Sequence, residues 1–421
     1  MTWTALNYLP ALIEMGVLCL SGYVIFRFNQ SFQASIASAS RLTPPATPST
    51  SLLTIAVVIP AYNEEINLRD CVEAVLNNEL PDPQQLQVWI ADDESTDGTR
   101  AIATQLVTQD PRVHLIAVPP RPTTEVWRGK NWACAQAVEQ AYGEYLLFID
   151  ADVRLEKEAI VTAVAEAQAS QADLISCLPE IVCGCLSEWL AQPIMVRMLA
   201  AGFNFGAVND PMQPDIAFAA GPFMLFRRTA YDRIGGHRAV ADDLVEDVAL
   251  ARQIKAFGLK MQLMLSEGVA KVRMYQNLAG LWEGWTKNLH MGSGRDVYAT
   301  LLIAVISVFV FVVPWLGLLL SGAALLSLGL QKGGLFVLPL IGSLVLLIWE
   351  SLIWRRQAIP LALPVRYWGL SWVGGLLVAA IAIASIIKTE TGWGWTWRGR
   401  SLALTNAKTH AKTHKKTTPS T

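Results

Sequence analysis

The sequence predicts an α/β sheet domain carried by a membrane-embedded frame. Three observations predict it. Short apolar runs alternate with helix-patterned stretches between residues 55 and 149, long segments elsewhere are nearly free of charge, and the charges are segregated between these two parts. Only 16% of the 421 residues are charged, against about 25% in an average soluble domain. Residues 51–298 hold 32 of the 35 acids and 20 of the 33 bases, a net of −12, while the remainder nets +10. The composition excludes a disordered chain or a small disulfide scaffold. An acidic body has no basic surplus to neutralise phosphates, so no nucleic acid is expected as a partner.

The elements follow in chain order. Residues 8–26 are apolar apart from Glu14, with neither a basic n-region nor a clear cleavage site, so they read as an uncleaved anchor. Pro44, Pro45 and Pro48 among Ser and Thr mark a linker. Apolar runs at 55–59, 86–91, 113–118 and 145–149 read as buried strands, with helices at 67–76, 99–107 and 131–142 between them. This alternation predicts a parallel sheet covered on both faces. Residues 221–226 read as a further strand, Gly221 letting a ligand approach the backbone. Residues 281–290 place Trp282, Trp285 and Leu289 on one stripe, the pattern of an amphipathic helix at a membrane interface. Residues 299–330 and 368–387 carry no charge, and 333–354 carry only Glu350. Each run reaches the roughly 20 residues that span hydrocarbon. The expected order is an anchor at 1–30, a linker at 31–50, the α/β domain at 51–280, an interfacial helix at 281–298, a transmembrane region at 299–388 and a basic tail at 389–421.

Arg27 and Arg41 follow the first span and no base precedes it, which predicts a multi-pass membrane protein with its body on the cytoplasmic face. Arg355, Arg356 and Arg366 agree. Four spans would put the basic tail outside, against the rule, unless 299–330 passes twice or one segment is re-entrant. The six cysteines lack a neighbouring His to complete a zinc set and read as reduced thiols.

Open α/β sheets bind ligands beyond the carboxyl ends of their strands. Pro60-Ala61-Tyr62-Asn63-Glu64-Glu65 follows the first strand, Asp92-Asp93-Glu94-Ser95-Thr96-Asp97-Gly98-Thr99 the second, and Asp150-Ala151-Asp152 the fourth. Helix capping and a charged first turn would account for several of these acids singly. Their joint placement at one edge points to a cation site, because a divalent ion bridges anionic protein to an anionic diphosphate. Asp242-Asp243-Leu244-Val245-Glu246-Asp247 sets four carboxylates within six residues, and their repulsion should raise at least one pKa.

These motifs, with Val57-Val58-Ile59 before the first and Gly129-Lys130-Asn131-Trp132-Ala133 between them, resemble the ordered set of inverting family 2 glycosyltransferases. The resemblance implies the GT-A fold, an α/β Rossmann-like mixed sheet, here with one N-terminal and about three C-terminal transmembrane helices. Residues 221–226, 282–288 and the apolar C-terminus further resemble membrane-bound bacterial carotenoid glycosyltransferases and hopene-associated glycosyltransferases. The resemblance implies that Ala61, Tyr62 and Glu64 face the nucleoside of a UDP- or GDP-linked sugar, with Asp92, or second Asp93, reading base or ribose. Lys130 would approach the phosphates. Asp152 would ligate Mg²⁺ or Mn²⁺, with Asp150 beside it or at the ribose. Asp247 would be the base, with Glu246 and Asp243 as the alternates. Trp282, Trp285 and Lys287 would border the acceptor entrance. Trp393, Trp395, Trp397 and Arg398-Gly399-Arg400 resemble a closing segment of relatives.

The expected activity is sugar transfer to a hydroxyl of a lipid-soluble acceptor, a xanthophyll foremost. Hopanoid, ceramide-like lipid, diacylglycerol and polyprenyl phosphate are the alternatives. A processive synthase is disfavoured because the chain has no Gln-x-x-Arg-Trp element. The rival from another class is a non-catalytic membrane scaffold with a degenerate nucleotide fold.

Overall fold

The computed structural model describes residues 3–44 and 54–402. Helix α1 (Trp3–Ala37) leads into strand β1 (Ser40–Leu42). The α/β body then runs β2 (Ile55–Ala61), α2 (Leu68–Leu76), β3 (Leu86–Asp92), α3 (Thr99–Gln109), β4 (Val113–Ala117), α4 (Gly129–Gln140) and β5 (Tyr145–Ile149). It continues through β6 (Val153–Leu155), α5 (Ala159–Ala169), β7 (Leu174–Leu178), β8 (Glu180–Ile181), α6 (Leu186–Gly202), α7 (Phe205–Asn209) and β9 (Phe223–Arg227). Next come α8 (Arg228–Arg233), α9 (Gly236–Ala239), α10 (Glu246–Ala256), β10 (Met261–Ser266), β11 (Ala270–Val272) and α11 (Leu278–Gly292). The frame is α12 (Val297–Ser307), α13 (Val313–Gly333), α14 (Val337–Ala358) and α15 (Ser371–Thr391), closed by a hairpin of β12 (Thr396–Trp397) and β13 (Arg400–Ser401).

Eight strands form one mixed sheet in the order β1-β10-β7-β9-β5-β2-β3-β4. All neighbours are parallel except β9, which runs against both β5 and β7. The side-chain period of two divides the apolar runs between two cores. Val57 and Ile59 pack with Leu68 and Val72 on one face. Ala56 and Val58 pack with Ala133 and Ala137 on the other. The reversal of β9 matters for the site: Phe223 pairs with Ile149, so Gly221, just before β9, lies at the carboxyl end of β5.

A third core unites body and frame. It joins Ile25 and Phe28 of α1, Ile194 and Met198 of α6, Leu281, Trp285 and Leu289 of α11, Phe311, Trp354 of α14 and Val378 and Ile381 of α15. At its centre Arg197 of α6 is fully enclosed. It donates to Glu350 at 3.0 Å and to Gln357 at 2.5 Å, with its guanidinium over Phe311 and Trp354. Outside this core, Leu12, Leu319, Leu326, Ile341 and Ile348 are exposed, as expected of helices that face lipid.

Three helical segments are long and apolar enough to cross a membrane: Tyr8–Ala37, Gly334–Leu361 and Trp368–Thr391. Val297–Phe311 and Val313–Gly329 meet at a 42° bend and together make a fourth, broken or re-entrant. Pro314 explains the break, since it removes a helix donor and clashes with the preceding turn.

Two expectations need correction, and one alternative left open by the sequence narrows. Residues 31–44 are not linker: α1 runs to Ala37 and β1 extends the sheet beside β10; residues 45–50 lie outside the described residues. The 299–330 run does not pass twice. It climbs along α1, with the Phe309 carbonyl bonded to Ser21 and Ser321 to Glu14. Helix α14 then returns, Gln357 reaching Asn29. The stripe on α11 does not face lipid either: Trp285 and Leu289 are buried, because α6 and α15 cover that side, Trp285 donating to Gln192 at 2.7 Å. All six cysteines are free.

Candidate functional site

The carboxyl ends of β2, β3 and β5 stand side by side, and their loops are laced together. Asn63 accepts from the Thr96 amide at 2.9 Å and donates its own amide to Ser95. The Glu64 amide donates to Thr99, and Glu65 accepts from Gly98. Asn63 and Glu94 hold positive φ angles of 55° and 60°. Such backbone is uncommon outside glycine, and it clusters at functional sites.

The two aspartates ending β3 point to different partners. Asp92, the last strand residue, turns one oxygen to the Ser95 amide at 3.1 Å. Its other oxygen is buried without a hydrogen-bond partner, with Arg100 4.0 Å away. Asp93 instead faces the Tyr62 side of the cleft. Ala61 is buried in β2, and its carbonyl accepts from the Asp93 amide at 2.9 Å.

Lys130, in the first turn of α4, is the hub of the next layer. Its Nζ lies 2.6 Å from Asp150 and 2.7 Å from Glu246. Burial disfavours its charge, but these two carboxylates overcome that and hold it well above the usual lysine value. Glu246 is depressed in turn: burial works against its charge, and Lys130 outweighs burial.

Asp247 sits one residue on, in the first turn of α10. Its Oδ2 accepts from the Gly221 amide at 2.8 Å and its Oδ1 from the Val248 amide at 2.8 Å. Burial and the charge of Glu246 push its pKa up to about 6, against the opposing effect of Lys130. The four-acid cluster therefore contains a raised pKa, and it belongs to Asp247.

Asp152 has a buried Oδ1 with no hydrogen-bond partner. Burial, Asp150 and Glu64 push its pKa up to about 8. An ionised carboxylate so placed would be stabilised by a cation, and its oxygen donors fit a divalent ion. Among the described residues no three Asp, Glu, His or Cys groups converge as a complete cage, and a ligand's own oxygens would have to share such an ion.

Lys287 of α11 also belongs here. Burial lowers its pKa, while Glu246, Asp150 and Asp247 oppose that. Its Nζ rests 4.4 Å from the Trp397 ring centroid. Trp282 is half-buried at the edge of the third core. His237 is buried, bonded to the Tyr231 hydroxyl at 2.7 Å and held neutral by a pKa lowered to about 3.

Two residues that composition assigns to a basic tail complete the cleft. Arg398 donates to the Tyr62 carbonyl at 2.6 Å and pairs with Glu64 at 2.5 Å. Arg400 pairs with Asp93 and lies over the Tyr62 ring. Glu283 of α11 anchors the hairpin by accepting from Thr396 at 2.7 Å. In sequence, Trp393, Trp395, Trp397 and Arg398-Gly399-Arg400 resemble a closing segment of relatives, but their spacing gives no role. Residues 403–421 of the expected tail lie outside the described residues.

Comparisons with known proteins bear on the family and the fold. Residues 56–235 match the family model described as Glycosyl transferase family 2. The 4,4'-diaponeurosporenoate glycosyltransferase of Staphylococcus haemolyticus is 25% identical over 311 residues, 73% of this chain and 77% of that protein. The protein of the same name from Staphylococcus aureus is 26% identical over 331 residues, 76% and 80% respectively. A mannosyltransferase from Pyrobaculum calidifontis, solved with GDP-Man and Mn²⁺, superposes with a TM-score of 0.53 at 16% identity, covering 91% of this chain and 99% of that one. That likeness bears on the fold, which is the GT-A arrangement.

Proposed function

We propose, from the match of residues 56–235 to the Glycosyl transferase family 2 model, that this chain is an enzyme that moves a sugar from a nucleotide sugar to a hydroxyl of a carotenoid-like acceptor held in the bilayer, with inversion. The observation that carries the reading is the placement of Asp247, with a pKa near 6. It stands at the edge shared by Asp150 and Asp152, beside a frame of apolar helices. The names of the two staphylococcal relatives support the carotenoid acceptor.

Asp247 takes the acceptor proton as the hydroxyl oxygen attacks the anomeric carbon from the side opposite the departing diphosphate. The Gly221 and Val248 amides hold both its oxygens, so it presents one fixed orientation. Lys130 and Lys287 sit beside the carboxylates and offer positive charge to the leaving diphosphate. Asp152, with Asp150 next to it, would hold Mg²⁺ or Mn²⁺, which when bound neutralises diphosphate charge. Tyr62, Glu64 and Asp93 bound the nucleoside side, and Trp282 with Lys287 the acceptor side.

The hairpin also bears on the topology. Arg398 and Arg400 lie beyond α15 yet bond to Glu64 and Asp93 of the body. This supports an even number of crossings between body and hairpin, with one C-terminal segment that does not complete a crossing. On that reading body and hairpin share the cytoplasmic face, in keeping with the distribution of Lys and Arg.

The test is transfer from radiolabelled nucleotide sugars to hydroxylated carotenoids in membranes carrying the protein, with and without Mn²⁺. A glycosylated carotenoid is the expected product. Labelling of another lipid with carotenoids untouched would overturn the acceptor, and no turnover with any lipid extract would favour the scaffold.

A further inference from the structure

We propose that the donor base is guanine, and that Arg400 occupies its place in the free enzyme. The proposal rests on reading the Tyr62–Asp93 edge as the nucleoside side of the donor site. The Arg400 guanidinium carbon lies 3.5 Å from the centroid of the Tyr62 ring. Its two terminal nitrogens donate to two acceptors of a single residue. Nη1 reaches the Asp93 carboxylate, and Nη2 reaches the Asp93 carbonyl at 2.8 Å. One aromatic face and two adjacent acceptors thus grip a planar fork of N–H donors.

Guanine carries the same fork. Its N1–H, C2 and N2–H₂ edge is part of a guanidine unit, and its ring stacks on an aromatic face as a guanidinium does. Uracil presents one N–H between two carbonyls. Adenine and cytosine each present an amino group beside a ring acceptor. Each of these sets a lone pair against one of the two Asp93 acceptors and leaves it unpaired. The Asp93 side chain is only 7% exposed, so solvent offers little relief.

The acceptor pair does not depend on Arg400 for its position. The Asp93 amide is tied to the Ala61 carbonyl at 2.9 Å. Gly129 packs so closely that a Cβ there would sit 2.5 Å from Asp93 Oδ2. The hairpin that carries Arg400 is held at its root through Glu283 and Arg398, yet it can give at the Arg400 strand. Its strands are two residues each, and so short a hairpin is marginal alone. Gly392, Gly394 and Gly399 join it through left-handed backbone.

The experiment measures binding of GDP, UDP, ADP and CDP to the purified full-length protein with Mn²⁺, by calorimetry without acceptor. GDP is expected to bind about ten-fold or more tightly than the others, the order of discrimination a two-point contact gives. Asp93→Ala should erase that preference. Arg400→Ala should tighten GDP by removing a competitor, and Arg400→Lys should do so too, because an ammonium lacks the fork. UDP binding as tightly as GDP overturns the guanine assignment and leaves the transferase reading intact. Failure of every nucleoside diphosphate to bind removes that underlying reading instead. Weaker GDP binding in Arg400→Ala overturns the occupancy, since the arginine would then be a wall of the site. If the Arg400 variants fail to fold, the GDP-to-UDP ratio of the wild-type protein still decides the base.

Discussion

Asp247 and Gly221 are joined by a single hydrogen bond of 2.8 Å, from the Gly221 amide to Asp247 Oδ2. It links the start of α10 to the turn before the one reversed strand. Asp247→Asn can keep the Gly221 contact through its amide oxygen, turning its NH2 toward the Val248 amide, and it removes the base. Transfer is expected to fall by about 10²–10⁴-fold, with nucleoside diphosphate affinity nearly unchanged. Single-turnover transfer and calorimetry on one preparation check this, and equal loss of both would count against the assignment.

The pH profile of kcat/KM should carry an acid limb near 6, since Asp247 accepts a proton only when ionised and its pKa is raised to about 6. Activity rises as pH climbs through that value and levels above it. Glu246 is one of the charges that raise Asp247. Glu246→Gln should therefore move the limb to lower pH. A limb that stays in place in this variant would assign it to another group.

Gly221→Ala tests position rather than charge. A Cβ there would lie 3.0 Å from Asp247 Oδ2 and 3.3 Å from Lys130 Nζ. The methyl group pushes the base off its line, and a displacement of that order costs roughly 10²-fold in rate. Thermal stability should change little. The prediction fails if kcat holds at the wild-type value.

The Arg197–Glu350 pair ties α6 to α14 with both side chains enclosed, 1% and 4% exposed. Arg197→Met alone strands a carboxylate and should cost about 3–5 kcal/mol. The double change Arg197→Met with Glu350→Met should cost less, because no charge is left unpaired. Thermal unfolding in detergent distinguishes the two, and equal losses would mean that the charges do not act as a pair.

Much of the body was legible because its strands are apolar runs bounded by acidic loops. β2, β3, β4 and β5 lie within a residue or two of their expected positions. The acids at Asp92, Asp93, Asp150, Asp152 and Asp247 stand out in sequence as carboxylates at strand ends and a helix start, but their roles come from the family resemblance, which puts Asp92 ahead of Asp93. What sequence could not supply was contact between distant segments. Residues 40–42 join the sheet only through β10, more than 200 positions on. The apolar stripe of α11 looked lipid-facing because a helix partner and a bilayer demand the same pattern. Arg398 and Arg400 looked like tail because their partners, Glu64 and Asp93, lie over 300 residues away.

The shared third core has a practical consequence for handling the enzyme. Cutting the chain after α11 to obtain a water-soluble catalyst would leave Leu281, Trp285 and Leu289 without α15, and Ile194 and Met198 without their cover. The same cut would discard the hairpin that lies across Tyr62. Such a fragment should aggregate and yield misleading nucleotide affinities, so purification has to begin from detergent-extracted membranes and the intact polypeptide.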